Sequence, residues 1–379
     1  MTRRRRIALV LCAVVALTAA CSKETTGTKE VRDAINATRL DPHRFSYSVL
    51  APDSAYQVHG LVEDDFRYKA RLVTGSEPVL DEVVNDDAIA VRFAQPALLG
   101  SFIDDSQREV AKLETTLNGV TVLDVLKAKR WVLDPSGAPA LTDASRTLRN
   151  QGKDPIFDAL GVFDYVEQAM AESVEVHEWD ADDLNPAYRA SEDVFPQPSE
   201  DSGVQRFDLR RPFLPPVGAS SGSSADSFLA TKHFRKMAIY VKNGRIIRVM
   251  ERVELTGKAA EDFVGYVKQV LKDVGFDKED IDAFEESLEG LNEKQRSDVL
   301  LETVNQGLEA AGQPPIIIRT MTMDLQDIGD DDIAATLPDD TIEGSLGILL
   351  NRGAKVEAAT ASGSPTAPAT SQSAASGDE

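Results

Sequence analysis

The sequence predicts an α+β fold in which an antiparallel sheet packs against a small number of amphipathic helices. Three observations carry this expectation. Apolar and polar residues alternate with period two through much of the chain, the pattern of strands with one wet face. Asn243-Gly244 stands between two such runs, and a two-residue Asn-Gly loop is the strongest short-range hairpin signal because both positions tolerate positive φ. Helical spacing is confined to a few stretches. Of the 379 residues, 42% are hydrophobic, enough to bury a sizeable core. The 63 acidic against 41 basic side chains, net −22, exclude an extended nucleic-acid surface, which needs a basic face. Two cysteines allow no disulfide framework, and four histidines leave little material for a zinc site.

The first element is a leader. Arg3 to Arg6 form a positive segment, followed by an apolar run from Ile7 to Leu17. That run is too short to cross about 30 Å of hydrocarbon and fits a signal-peptide core. It ends in Leu17-Thr18-Ala19-Ala20-Cys21, which resembles a bacterial lipobox, with Thr18 where leucine is usual. Residues 1–20 are therefore expected to be a signal peptide, with Cys21 the lipid-anchor residue, diacylglyceryl-modified, and 21–28 a lipid-anchored polar spacer. Two or more acyl chains, at about 0.8 kcal/mol per buried CH₂, anchor stably where one does not. The arginine run leaves both the Sec and the twin-arginine export routes open. Cleavage removes Cys12, and lipidation occupies Cys21, so no thiol chemistry is expected.

Val31 and Ile35 mark a short first helix. Strands follow at Phe45/Tyr47/Val49, Tyr56/Val58 and Phe66/Tyr68/Ala70/Leu72, the last with Arg67, Lys69 and Arg71 on the opposite face. Ile89/Val91/Phe93, Arg130 to Leu133 and Phe207/Leu209 continue the pattern, and His177 lies in another alternating stretch. From Asp154, the spacing of Phe157, Leu160, Phe163, Val166 and Met170 predicts a helix. Pro212 to Asp226, rich in Pro, Gly and Ser, is expected to be a surface loop within the domain. The Asn-Gly turn joins Met237/Ile239/Val241 to Ile247/Val249/Val253/Leu255, with Arg248 and Arg252 on the other face. Residues 256–313 form a helical insertion with stripes at Phe263/Val267/Val270/Leu271/Val274, Ile281/Phe284/Leu288 and Leu300/Val304/Leu308. Asp277 with Asp280, and Asn292 with Gln295, occupy helix-cap positions. A last strand, Ile316 to Leu325, puts Ile317, Met321, Met323 and Leu325 on one side. The domain is expected to span 29–352, and the tail 353–379 has a composition that does not support order.

Motifs that carry chemistry are weak. Gly218-Ala219-Ser220-Ser221-Gly222 matches the serine-hydrolase pattern formally, but that motif works only as a strand-to-helix elbow, and here it lies in the Pro/Gly/Ser loop. His43, His59, His177 and His233 show no metal-ligand spacing. Asp180/Asp182/Asp183, Asp277/Glu279/Asp280/Asp282 and Asp330/Asp331/Asp332 lack the calcium-loop register, and the second group suits a helix start. A glycosidase carboxylate pair needs no local motif, but glycan clefts usually expose tryptophans, and only Trp131 and Trp179 occur. No GxxxxGK phosphate loop is present. The chain is expected not to be an enzyme, with no catalytic residue, no metal and no cofactor.

The order of elements resembles the LolA/LolB lipoprotein carriers and is similar to the mycobacterial LppX/LprG-type lipid-binding lipoproteins. The likeness rests on the first helix before Phe45-Ser46-Tyr47-Ser48-Val49, on Arg130-Trp131-Val132-Leu133-Asp134-Pro135 ahead of the Asp154-Pro155 helix, on the Met237–Val249 hairpin, and on Thr320–Gly329 with Leu337-Pro338 beyond it. The helical insertion is larger than that resemblance leads one to expect. The resemblance implies a LolA-like curved antiparallel β-sheet, a half-barrel, wrapping helices around an apolar cavity. It implies an acidic, extracytoplasmic cell-envelope lipoprotein, anchored to the cell membrane, that binds or carries a lipid or acylated molecule without catalysis. The candidate cavity lining is Phe45, Tyr47, Tyr56, Phe66, Tyr68, Ile89, Val91, Phe93, Phe163, Met237, Ile239 and Val249. Arg67, Lys69 and Arg71 are either a solvated face or a contact for anionic head groups. The alternative is a structural lipoprotein with a solid core that contacts another envelope protein. The protein partner is not specified by sequence.

Overall fold

The computed structural model describes residues 26–51, 54–64, 67–94, 116–117, 120–138, 154–173, 175–180, 195–211, 235–253, 264–265, 268, 272, 277–310 and 318–344. The expected signal peptide, residues 21–25 of the expected spacer, loop 212–226 and the tail lie outside these residues, as do Cys21, Phe66 and the Gly218–Gly222 motif; the last part of that spacer, Thr26 to Thr28, is instead helical.

Helix α1 (Thr26–Leu40) buries Val31, Ala34, Ile35 and Thr38, the i, i+3, i+4, i+7 stripe of an amphipathic helix. The Thr38 hydroxyl donates to the Ala34 carbonyl (2.7 Å) and accepts the Ile246 amide (2.8 Å), which ties α1 to the sheet. Strands β1 (His43–Ala51), β2 (Ser54–Val62), β3 (Tyr68–Thr74), β4 (Glu77–Asn85) and β5 (Ala88–Phe93) form an antiparallel meander. In β1 the buried residues are His43, Phe45, Tyr47 and Val49, as the alternation predicts. Gly60 lies opposite Phe45, whose ring covers it: a Cβ there would come within 2.3 Å of the Lys69 carbonyl and 2.7 Å of the ring.

A two-residue ladder, β6 (Thr116–Leu117) and β7 (Val120–Thr121), precedes α2 (Val122–Lys127) and β8 (Trp131–Asp134). The single helix expected after Asp154 is two: α3 (Pro155–Leu160) and α4 (Val162–Glu172), separated at Gly161. Asp154 caps α3 by accepting the Ile156 and Phe157 amides. Then come β9 (Glu175–Glu178), β10 (Val204–Arg211), β11 (Arg235–Lys242) and β12 (Arg245–Val253). The β11–β12 turn has Asn243 at φ 52° and Gly244 at φ 71°, the primed geometry foreseen for Asn-Gly. Helices α5 (Lys278–Glu286) and α6 (Glu293–Ala310) follow, with Asp277 accepting the Asp280 amide and Asn292 and Gln295 capping each other reciprocally. Strands β13 (Arg319–Gln326) and β14 (Thr341–Glu343) close the described chain.

Twelve strands form one sheet in the order β14-β8-β5-β4-β3-β2-β1-β13-β12-β11-β10-β9, curved and unclosed. Every pairing is antiparallel except β14 with β8. The molecule is thus α+β with a half-barrel sheet. Its inner face is covered by α1 over β9, β11 and β12, by α3 over β2 and β3, and by α4 over β10. β12 and β13 are direct neighbours, with Val253 opposite Arg319, so the chain leaves the sheet and re-enters it there at one point.

One expectation is corrected. The alternation puts Ile247 on the face of Val249 and Val253, but a bulge pairs Val241 with Ile246 while Tyr240 still faces Arg248. The extra residue inverts the parity toward the turn. Ile246 is therefore buried in the core, and Ile247 packs on the outer face with Phe195, Ala238 and Tyr240.

Candidate functional site

The inner face is built in rows by the strand register. One row runs Val58, Tyr47, Met323, Val249, Ile239, Phe207 across β2, β1, β13, β12, β11 and β10, and it is apolar apart from one hydroxyl. The adjacent row runs Tyr56, Val49, Met321, Glu251, Met237, Leu209. Of the candidate lining, Phe45, Tyr47, Tyr68, Ile89, Val91, Phe93, Phe163, Met237, Ile239 and Val249 are buried in one contiguous cluster shared with α1, α3 and α4. Tyr56 is half-buried against it.

Ionisable side chains enter this face at a lip formed by β12 and β13 and, separately, on β4. Glu251 is fully buried, and its Oε1 accepts the Tyr165 hydroxyl of α4 at 2.5 Å. Arg319, whose side chain is 5% exposed, donates from Nε to Glu251 Oε2 at 3.4 Å, and its guanidinium lies 5.2 Å from the centre of the Tyr165 ring. Among the described residues its Nη groups meet no hydrogen-bond acceptor. They are not sealed from solvent, because the side chain keeps that exposure at the lip. Burial alone would lower the Arg319 pKa, but Tyr47, Tyr165, Glu251 and Asp158 around it raise it well above the ordinary value. The side chain stays charged. Burial pushes the Tyr47 and Tyr56 hydroxyls up, and their rings lie 6.3 Å apart beside Arg319. A second buried carboxyl on the inner face, Glu82 of β4, accepts the Tyr68 hydroxyl at 2.5 Å.

The outer face has its own ion pairs. Asp81 accepts Arg71 (2.5 Å) and Arg92 (2.6 Å), and Arg92 stacks over Trp131 at 4.8 Å. Arg206, fully buried, makes two 2.7 Å bonds to Asp208 between the rings of Trp179 and Phe195. Of the basic stripe, Arg67 precedes β3 and pairs with Glu63 and Asp64, and Arg71 pairs with Asp81, so two of its three charges are already countered.

The remaining candidates do not converge. His59 is exposed and bonds Ser46 and Gln57, His43 is buried beside Phe163, and His233 lies outside the described residues. Asp277 caps α5, and Asp330 accepts the Asp332 amide in an exposed turn. Among the described residues no group of three or more His, Cys, Asp or Glu is placed to hold a metal ion. Nor, among them, is any helix long and apolar enough to cross a membrane.

Sequence reasoning missed Arg319, Glu251, Tyr165 and Asp158 as a group. The signal was present in strand parity: Glu251 shares a face with Val249 and Val253, and Arg319 with Met321, Met323 and Leu325. A charged residue in the apolar register of a strand marks a buried polar site. No protein-family model matches the chain, and no curated protein matches it.

Proposed function

We propose that the chain is a cell-envelope lipoprotein, held to the extracytoplasmic face of the membrane through an acylated Cys21, that binds or carries a lipid or acylated ligand between its sheet and helices without catalysis. One observation carries this reading: a twelve-stranded, mostly antiparallel sheet stays open, and one whole row of its inner face is apolar apart from the Tyr47 hydroxyl. A sheet of that width needs covering, and among the described residues α1, α3 and α4, of 15, 6 and 11 residues, lie over it, with Val125 of α2 joining the same core. The rows beneath are buried, so an acyl chain enters by displacing part of that cover and gains about 0.8 kcal/mol per CH₂ removed from water. The order of elements also supports the resemblance to LolA/LolB and LppX/LprG-type lipoproteins: a first helix, a meander, helices between β8 and β9, the Asn-Gly hairpin and a late strand.

Native mass spectrometry of a Cys21→Ser chain, purified from its own host, tests the proposal. Adducts of lipid mass are expected under gentle ionisation. A clean apo mass overturns it in favour of a second reading, a structural lipoprotein contacting another envelope protein. That reading is favoured by the continuity of the buried cluster, and it predicts a stoichiometric cross-linked partner with no extractable lipid.

A further inference from the structure

We infer that Arg319, with the hydroxyls of Tyr47 and Tyr56, forms a head-group subsite that takes the carbonyl or hydroxyl oxygens of a neutral acyl ester. This inference rests on the lipid-binding reading and gives that ligand an orientation.

The position comes from register. Arg319 is the first residue of β13 and faces Val253, the last of β12, so it lies at the lip of the inner face. Deeper along the same strand follow Met321, Met323 and Leu325. These three are buried in the core, so an amphiphile entering along β13 sets its polar end against the guanidinium at the lip and its chain on the methionine rows by displacing the side chains that cover them. Arg319 is the only cation in this cluster of described side chains, and its Nη donors have no acceptor among the described residues. A guanidinium offers those donors in a fixed fork suited to paired oxygens.

Charge selects the class of head group. Glu251 and Asp158 already set two carboxyl groups against one guanidinium. A carboxylate or phosphate entering beside them meets repulsion and loses its hydration, whereas an ester carbonyl or glycerol hydroxyl accepts the same hydrogen bonds without a third negative charge. Tyr47 and Tyr56, kept protonated by burial, supply further neutral groups.

The test uses the full mature-length chain with Cys21→Ser and the neutral dye N-phenyl-1-naphthylamine, which brightens in apolar surroundings and is displaced by a competitor. Monoolein is expected to displace the dye at lower concentration than either oleate or headless 1-octadecene. The double variant Arg319→Met/Glu251→Gln removes the ion pair as a unit. It is expected to weaken monoolein about tenfold and erase its advantage over octadecene, the size expected for bonds to a charged donor. Should that variant fail to fold, Tyr47→Phe keeps the ring and is expected to lower the same ratio by a smaller factor. His59→Gln, on the outer face, leaves both competitors unchanged. An unaltered monoolein-to-octadecene ratio in the variants overturns the subsite while leaving the cavity standing. Oleate outcompeting monoolein overturns the choice of a neutral head group. No dye uptake by the parent chain overturns the lipid-binding reading, and the subsite with it.

Discussion

Arg206 illustrates what single residues contribute here. It is fully buried on the outer face, held by two 2.7 Å bonds to Asp208 and flanked by Trp179 and Phe195. A buried pair adds little over an apolar substitute, but removing one partner strands the other charge. Asp208→Ala is therefore expected to cost about 3–5 kcal/mol, read as a lowered urea midpoint. His43 gives a pH dependence of defined sign. Burial lowers its pKa below 6.5, opposed by its bond to the Asp41 carbonyl and by the Asp41 charge. The fold thus keeps it neutral, while the unfolded chain takes up a proton as pH falls below about 6.5. Its contribution is complete above that pH and drains away below it. Stability should fall more steeply between about pH 7.5 and pH 5.5 in the parent chain than in His43→Gln. Asp154→Ala, which removes the acceptor of two α3 amides, is expected to cost about 1–2 kcal/mol in the same assay.

Elements differ in how plainly the sequence announces them. The β11–β12 hairpin was legible because Asn-Gly specifies its own backbone, and Gly244→Ala should cost about 1 kcal/mol through the positive φ alone, since no atom lies within 4 Å of the new Cβ. Gly60→Ala is a different case: the Lys69 carbonyl of β3 and the Phe45 ring of β1 both occupy the space, so the loss should be several-fold larger and accompanied by a displacement of β2 against both neighbours. A shift in the Phe45 side-chain NMR signals would register that movement. β4 escaped prediction because it does not alternate. Six consecutive residues, Val79 to Val84, are buried, and the acids Asp81 and Glu82 among them imitate a loop. Their partners, Arg71, Arg92 and Tyr68, come from neighbouring strands that local spacing does not reveal. The inversion of Ile246 and Ile247 was hidden for a related reason: the bulge is set by the pairing with β11, and neither isoleucine announces it.

At the scale of the molecule, parity made most of the inner face readable, and the lip that Arg319 and Glu251 charge went unread because apolar positions were sought there first. Tyr47 and Tyr56 were named as lining, while Arg319 and Glu251, in the same register, were not. The topology carries a further expectation. Because Val253 and Arg319 pair directly, the segment between them is dispensable to the ladder. Replacing residues 256–316 by a short Asn-Gly turn should preserve a cooperative urea transition and a sheet-type circular-dichroism spectrum. Loss of cooperativity would show instead that the helical segment supports the core.

The first turn of α1 sets a final geometric consequence. Gly27 is pressed so close to Val176 of β9 that a Cβ would fall 2.9 Å from its carbonyl oxygen. Four residues separate Thr26 from Cys21, so the five Cα–Cα steps reach about 18 Å at full stretch. Under the proposed acylation of Cys21, the β9 edge would stay within that reach of the lipid head groups, and the domain would be confined to a shallow layer above them.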